Sequence, residues 1–247
     1  MYSAHLLCLL VLLSSAPAAG RGQPIKLMAV KGSPTAAVGA TLIRAAYEQL
    51  GVRVIIDEVP AKRARYYADS SADGEVHRVA AARSMYKNLE MVETPFNYLE
   101  FRVVARGPDF TVKGWESLRP HKVAIVRGIV AMEKGTRGMD PHRLTSYDQM
   151  LRFVAAGRSQ YGVVTTLTFE IKKKSLDLQG LRLLNPPISR YPLYHFLNRR
   201  HKSLAARLNS LLQDWEKSGE LARRRAAAVA SLVTRPAPTA GKERDAG

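Results

Sequence analysis

The sequence predicts an α/β fold of two lobes, each a helix-covered parallel sheet, joined by two crossing strands. A strand–helix–strand rhythm occupies residues 25–79 and restarts at about residue 122. Alternation of strands with helical patterns is typical of a parallel sheet with helices on its faces. Two extended segments flank the second block, which favours two lobes over one continuous sheet. With 247 residues, 46% of them apolar, the chain can bury a substantial core.

The first block contains three predicted strands and two predicted helices. The predicted strands lie at residues 25–30, 52–59 and 75–79, and the predicted helices lie between them at residues 38–50 and 60–68. A loop, KGSPTA, precedes the first helix, and Gly51 ends it. Apolar residues recur at helical spacing in that helix, so we expect one of its faces to pack on the sheet.

Residues 91–110, MVETPFNYLEFRVVARGPDF, contain the first extended segment. Apolar and polar residues alternate there with the period of a half-buried strand, until Gly107-Pro108 ends the pattern. A second extended segment, residues 191–198, follows a turn at residues 185–187. We predict that the chain leaves the first lobe along one segment and returns along the other. An edge strand of a single sheet is the alternative interpretation of the first segment.

The second block predicts a strand at residues 122–126, a helix at 147–156 and a strand at 161–165. An amphipathic helix with apolar residues from Leu204 to Trp215 follows the return segment, and a last helix is predicted to end near Ala228. The predicted parts are a signal peptide (residues 1–20), lobe 1 in two pieces (21–105 and 191–228), lobe 2 (106–190) and a disordered tail (229–247).

The first twenty residues, MYSAHLLCLLVLLSSAPAAG, predict an export signal and hence a periplasmic protein. The apolar run at residues 6–13 is too short to span a bilayer, and Ala16-Pro17-Ala18 fits a small-x-small cleavage site. A basic residue before the run, usual in such signals, is missing. The only cysteine, Cys8, lies in this segment, so we expect the mature protein to have no disulfide and no cysteine-based site.

The formal net charge of +17 raises the question of nucleic-acid binding. Export argues against it, and the basic residues are spread along the chain rather than gathered with aromatic residues. We interpret the charge as solvated surface with a bias toward anionic ligands or an anionic membrane surface. Metal-ligand spacings, nucleotide-binding glycine patterns and a complete nucleophile elbow are missing, so we predict no cofactor, no metal and no nucleic-acid partner.

Several segments together resemble the extracellular solute-binding proteins of the family 3 type, which include amino-acid receptors of ABC importers. The segments are ADG, YKNLEMVETPF, LRPHKVAIVRG, AGRSQYGVV and LAARLNSLLQDWEKSGELAR, at residues 72–74, 86–96, 118–128, 156–164 and 204–223. The resemblance covers about residues 24–225. It implies a type II periplasmic-binding-protein-like fold that closes over a small solute, in a monomer whose partner is an ABC importer permease or a membrane sensor.

Ligands of open α/β sheets bind beyond the carboxyl ends of strands and between domains. The loops that follow predicted strands lie at residues 33–35, 60–63, 77–83, 127–130 and 165–166. Our candidate ligand-binding residues from these loops are Ser33, Arg63, Arg78, Arg83, Arg127, Gly128, Thr165 and Thr166.

The resemblance implies an arginine that holds the ligand carboxylate, in a Thr-x-x-Arg setting after the third strand. Arg83 is the nearest match, but it lacks the threonine and stands too far from Pro95, so Arg78 competes with it. The amine-binding aspartate of the family corresponds to Thr165, which cannot neutralise an ammonium group. Arg127-Gly128 precedes a predicted helix start, where free N–H groups can receive an anionic oxygen.

The sequence therefore predicts a non-enzymatic, periplasmic protein that binds a small polar solute, anionic rather than zwitterionic, by cleft closure. One alternative is an exported, dehydratase-like enzyme on the same scaffold that acts on a cyclic acid. Glu75 and Glu93 are its candidate acid–base groups, although ordinary surface carboxylates are the competing interpretation. A third class is an exported basic protein that binds anionic polymers.

Overall fold

The computed structural model describes residues 23–176 and 178–234. The strands are β1 (Ile25–Val30), β2 (Val54–Val59), β3 (Gly74–Val79), β4 (Leu89–Met91), β5 (Asn97–Ala105), β6 (Val123–Val126), β7 (His142–Leu144), β8 (Tyr161–Thr165), β9 (Arg182–Leu183) and β10 (Ser189–Asn198). The helices are α1 (Pro34–Gln49), α2 (Ala61–Ser70), α3 (Val130–Gly135), α4 (Tyr147–Ala155), α5 (Thr166–Ser175), α6 (Lys202–Lys217) and α7 (Glu220–Thr234). The predicted signal peptide and residues 235–247 of the predicted tail lie outside the described residues.

The strands form a sheet in the order β2-β1-β3-β10-β5-β8-β6-β7, with β4 beside β10 and β9 beside β5. Strands β1 to β3 are parallel to one another at one end, and β6 to β8 are parallel at the other. Between these parallel sets, β10 and β5 run antiparallel to each other and to their outer neighbours. Two βαβ-type halves are therefore connected through two central strands, as the sequence predicted.

The hydrogen-bonded ladder is continuous, but the apolar core is divided. One cluster of buried side chains comes from residues 101–188, and the others come from residues 25–96 and 196–228, together with Leu167. Separate cores on either side of the two central strands agree with the predicted two-lobe fold. The predicted lobe boundaries at residues 105/106 and 190/191 stay a prediction.

Helix α5 was not predicted, because its apolar residues Leu167, Phe169 and Ile171 are two apart, which is the period of a strand. The hydroxyl of Thr165 accepts a hydrogen bond from the Thr168 N–H and so caps the first turn. Leu167 and Ile171 pack against the first-lobe core, whereas Phe169 belongs to the second-lobe core. Tertiary packing across the lobes therefore outweighs the local pattern.

The last helix extends six residues beyond its predicted end. Residues 229–234, assigned to a disordered tail from the sequence, are the final turns of α7. Val229, Leu232 and Val233 pack against the first-lobe core. This burial supports helix in a segment whose composition alone did not indicate it.

The ADG segment has a structural role where β1, β3 and β10 meet. The Asp73 carboxylate accepts a hydrogen bond of 2.8 Å from the Lys26 N–H and contacts His201 at 2.6 Å. A Cβ atom at Gly74 would lie 2.2 Å from the carbonyl oxygen of Phe196, so no side chain fits there. Glycine at this position lets β10 approach β3.

The side chain of a buried histidine on β10 packs against helix α1. His195 is 0% exposed, and its two ring nitrogens lie 3.1 Å from the Val76 carbonyl oxygen and 3.0 Å from the Tyr47 hydroxyl. Because a carbonyl only accepts, Nδ1 carries the proton and Nε2 accepts from Tyr47. Burial lowers the pKa of His195 from 6.5 to about 4. The folded protein therefore holds this ring neutral at pH values where the unfolded chain protonates it.

We predict that acid weakens the fold through His195. Below pH 6.5 the unfolded chain gains a proton that the folded protein refuses until about pH 4, so stability falls across this window and is fully present above it. From pH 7 to pH 5 the loss due to this group is about 2 kcal/mol. Urea unfolding at both pH values should show a correspondingly smaller loss in His195→Gln. The matched control, His142→Gln, replaces an exposed ring and should keep the full loss; equal losses in both variants would contradict the assignment.

Candidate functional site

The register of the two central strands places the carboxyl ends of strands from both lobes opposite each other. Val79, at the end of β3, pairs with Leu193, which in turn pairs with Asn97. Thr165, at the end of β8, pairs with Phe101. Because β3 and β8 run in opposite directions, their ends face each other across four residues of ladder, or about 13 Å. A gap of this width suits a small molecule, and residues 97–101 and 189–193 border it.

At the end of β3, Arg78 is held by a buried carboxylate. Glu75 is 1% exposed, and the Nε and Nη2 atoms of Arg78 lie 2.7 Å and 2.6 Å from its Oε1 atom. The Tyr86 hydroxyl donates to the other carboxylate oxygen, and Arg78 Nη2 also donates to the Ala61 carbonyl at 3.1 Å. The side chain of Arg78 stays 26% exposed. The guanidinium is therefore fixed in orientation and still reaches solvent at the strand end.

The Glu75 carboxylate influences the protonation of both Arg78 and Tyr86. Burial alone would lower the pKa of Arg78, but the Glu75 carboxylate offsets this and raises it above its ordinary value. Burial and the Glu75 charge raise the pKa of Tyr86 well above its usual range. Tyr86 therefore remains a hydrogen-bond donor at neutral pH, and Arg78 remains a cation.

Arg83 occupies a different environment. It lies in a 3₁₀ helix, Ala80–Met85, and pairs with Glu93. The side chains of this pair are 58% and 65% exposed. Arg83 is thus a surface cation that already has a carboxylate partner. Of the two competing arginines, Arg78 is the one whose orientation is fixed by a buried partner.

On the second lobe, Arg127 and Gly128 follow β6. The N–H groups of residues 127, 128 and 129 donate to the Leu144 carbonyl, the Glu133 carboxylate and the Val126 carbonyl, at 2.8, 3.3 and 3.4 Å. The N–H groups of these three residues, which precede α3, are thus engaged, and the anion-binding role suggested for the helix start stays a prediction. The Arg127 side chain is exposed and pairs with no residue in the described ranges. It is the group at this strand end that is available to a ligand.

The two threonines after β8 are committed to structure. Thr165 is 6% exposed and its hydroxyl bonds to the hydroxyl and N–H of Thr168. Thr166 Oγ1 donates to Glu100 at 2.7 Å and accepts from Arg102 Nε at 3.2 Å. The structure places no free hydroxyl or carboxylate at this position that would suit an ammonium group.

The remaining candidates differ in availability. Ser33 caps α1, since its hydroxyl accepts from the Ala36 N–H at 3.2 Å. Arg63, in the first turn of α2, is exposed and forms no ion pair with any residue that the structure describes. Both lie at the carboxyl edge of the first-lobe strands. Only Arg63 of this pair offers an unused charged group.

Two acids, one on β3 and one on the crossing strand β5, have structural roles that the sequence did not indicate. Glu75, interpreted as an ordinary surface or turn carboxylate, is fully buried and orients Arg78. Glu100 and Arg102 were not singled out, yet they pair at 3.0 Å with side chains 13% and 19% exposed. Their alternation with apolar residues on β5 was a usable signal, because charges two apart on a strand share a face.

Among residues 23–176 and 178–234, no three or more His, Asp, Glu or Cys side chains are grouped so as to hold a metal ion. No described helix has both the length and the apolar character to cross a membrane.

Comparison with known proteins by sequence gives no match to a protein-family model or to a curated protein. Comparison with solved structures does give matches, of which three are described. A histidine kinase sensor domain with similarity to periplasmic binding proteins is 21% identical, with a TM-score of 0.63 over 84% of this chain and 96% of that chain. A probable amino-acid ABC transporter extracellular-binding protein, ytmK, from Bacillus subtilis is 13% identical, with a TM-score of 0.68 over 84% and 98%.

The GluR0 ligand-binding core in complex with L-glutamate is likewise similar, at 13% identity and a TM-score of 0.67 over 85% of this chain and 100% of that chain. At these identities the similarities establish the fold. The chain has the two-lobe, periplasmic-binding-protein-like α/β fold, so the predicted fold class is confirmed. The structures it resembles are binding and sensor domains.

We predict that Glu75 and Glu93 differ sharply in their contribution to stability. Glu75→Gln breaks a buried ion pair and should lower the free energy of unfolding by about 3 kcal/mol. Glu93→Gln, the matched control, breaks an exposed pair and should cost at most about 1 kcal/mol. Urea unfolding of the purified variants measures both values. Similar costs for the two substitutions would show that Glu75 does not hold Arg78 as described.

Proposed function

We propose that this protein binds a small polar solute in the gap between its two lobes and transmits occupancy to a membrane partner. The observation that carries the proposal is the register of β5 and β10, which sets the carboxyl ends of β3 and β8 face to face. Arg78 lies at the first of these ends, and Arg127 follows the neighbouring strand β6 in the second lobe. A solute between them would contact both lobes.

Binding would act by shifting an equilibrium between open and closed lobe arrangements. Each lobe has its own core, so a change of angle at the crossing strands leaves most of both cores packed and alters mainly the contacts of α5, whose Leu167 reaches the first-lobe core. A solute that touches both lobes only when they are closed stabilises that arrangement by the additional contacts. No covalent chemistry is needed for this function.

The charges around the gap favour an anionic or neutral solute over a zwitterionic amino acid. The two nearby carboxylates, Glu75 and Glu100, are each paired with an arginine. Arg63 and Arg127 have no such partner in the described chain. An ammonium group would thus find no unpaired carboxylate, whereas an anion would find unpaired cations.

We propose export to the periplasm and delivery of the signal to an ABC importer permease or a sensor kinase. The similar structures include an ABC transporter binding protein and a histidine kinase sensor domain, so the fold is compatible with either partner. A periplasmic location also fits the absence of a membrane-crossing helix among the described residues.

The solute can be sought by thermal shift of the purified protein against dicarboxylates, keto acids, cyclic acids and amino acids. A ligand at a hundred times its dissociation constant adds about 2.7 kcal/mol of stability. We expect one class of anion to raise the melting temperature. If no class of compound shifts the melting temperature, the proposal is contradicted. Turnover of the stabilising compound would instead favour the alternative, an exported, dehydratase-like enzyme.

We predict that Arg78→Lys removes most of this shift, whereas Arg83→Lys keeps it. Lysine preserves the charge beside Glu75 but loses the planar fork, and each charged hydrogen bond contributes about 1.5 to 3 kcal/mol. Affinity should therefore fall at least tenfold in Arg78→Lys. Arg83→Lys is a matched control, because Arg83 also pairs with a glutamate but lies on the surface. Equal affinities in the two variants would remove Arg78 from the site.

A further inference from the structure

A second concave site lies between the crossing strands and the corner where α6 meets α7. Its cavity volume is about 430 Å³, within the range of small-molecule sites. Five of the lining residues are apolar, namely Pro95, Phe96, Pro192, Leu221 and Ala222. The polar lining consists of Asn97, Tyr98, Arg190, Arg225 and, at the exposed rim, Glu216. We call this site the hinge groove.

Two guanidinium groups lie against one aromatic ring in the hinge groove. The Cζ atom of Arg190 is 3.6 Å from the centroid of the Tyr98 ring, and that of Arg225 is 3.5 Å from it. Arg225 also donates to Asn97 Oδ1 at 3.1 Å and to the Tyr98 hydroxyl at 2.7 Å. The two cations are therefore no more than about 7 Å apart and are held by neutral groups.

No carboxylate neutralises this pair directly. Glu100 is near, but it already bonds to Arg102 and Thr166. Neither Arg190 nor Arg225 forms an ion pair within residues 23–176 and 178–234. Burial, and in smaller part the charge of Arg190, lowers the pKa of Arg225. Glu100 lies opposite Arg190 in the ladder and offsets the repulsion between the two cations only in part, so a bound anion would relieve it further.

We propose that the hinge groove is a separate binding site for a small carboxylate with an apolar body. Arg190 and Arg225 would receive the carboxylate, and Pro95, Pro192 and Leu221 would contact the apolar part. Arginine pairs suit this chemistry because the guanidinium fork matches the carboxylate geometry. The hinge groove shares crossing-strand residues with the border of the gap, but its other walls come from α6, α7 and the segment before β5. It includes none of the strand-end arginines.

The probe for this site is 4-fluorobenzoate, and 4-fluorobenzamide is its neutral counterpart. Titration of each into the purified full chain, followed by fluorine NMR, measures the two dissociation constants. We expect the carboxylate to bind at least tenfold more tightly than the amide. Equal affinities would show that the groove does not recognise an anion, and the absence of carboxylate binding would overturn the proposal.

Three variants locate the bound probe. Arg190→Ala should weaken carboxylate binding at least tenfold, and it should fold normally, because Arg190 is exposed and its contact is the stacking on Tyr98. Arg199→Ala, the matched control, removes one exposed charge just beyond β10 and should leave binding unchanged. Arg78→Lys should also leave it unchanged. Equal losses in Arg190→Ala and Arg199→Ala, or a loss confined to Arg78→Lys, would overturn the proposal.

Discussion

The pairing of residues 97–101 with residues 189–193 is the constraint on which the rest of the structure depends. Over this stretch β5 and β10 are paired with each other, and beyond it each pairs with strands of one lobe. A different register would move the ends of β3 and β8 relative to each other and change the width of the gap between them. The same short ladder separates the two apolar cores. The β5–β10 ladder thus sets both the division into two lobes and the width of the gap.

Around the gap, the availability of a side chain depends on its existing partners. A buried acid fixes Arg78, a surface acid occupies Arg83, and helix capping occupies Thr165. A strand-end position is therefore not sufficient for a role in binding. An unpaired charge such as Arg127 can bind a ligand without losing a bond, whereas Arg78 is engaged at Nε and Nη2 and would bind through the rest of its guanidinium group.

The crossing strands are enclosed by helices of both lobes. Helix α5 follows a second-lobe strand, yet Leu167 packs with the first-lobe core. Arg225 of α7 bonds to Asn97 and Tyr98 at the start of β5. A change of lobe angle would therefore alter packing at α5 and α7 as well as at the gap. The hinge groove lies between the crossing strands and α7, so the same movement would alter its shape.

The sequence by itself determined the two-lobe α/β fold, the crossing strands and most strand-end loops, because these follow from local periodicity and turn residues. It also indicated the competition between Arg78 and Arg83 without resolving it. It missed α5 and the end of α7, whose formation depends on apolar contacts with distant segments.

Only the tertiary structure decided which charges are paired. Glu75 and Glu93 look equivalent in sequence, but one is buried beside Arg78 and the other is exposed beside Arg83. The stacking of Arg190 and Arg225 on Tyr98 joins residues about 90 to 130 positions apart. Burial and ion pairing depend on which segments meet in space, and a local sequence pattern carries no record of that.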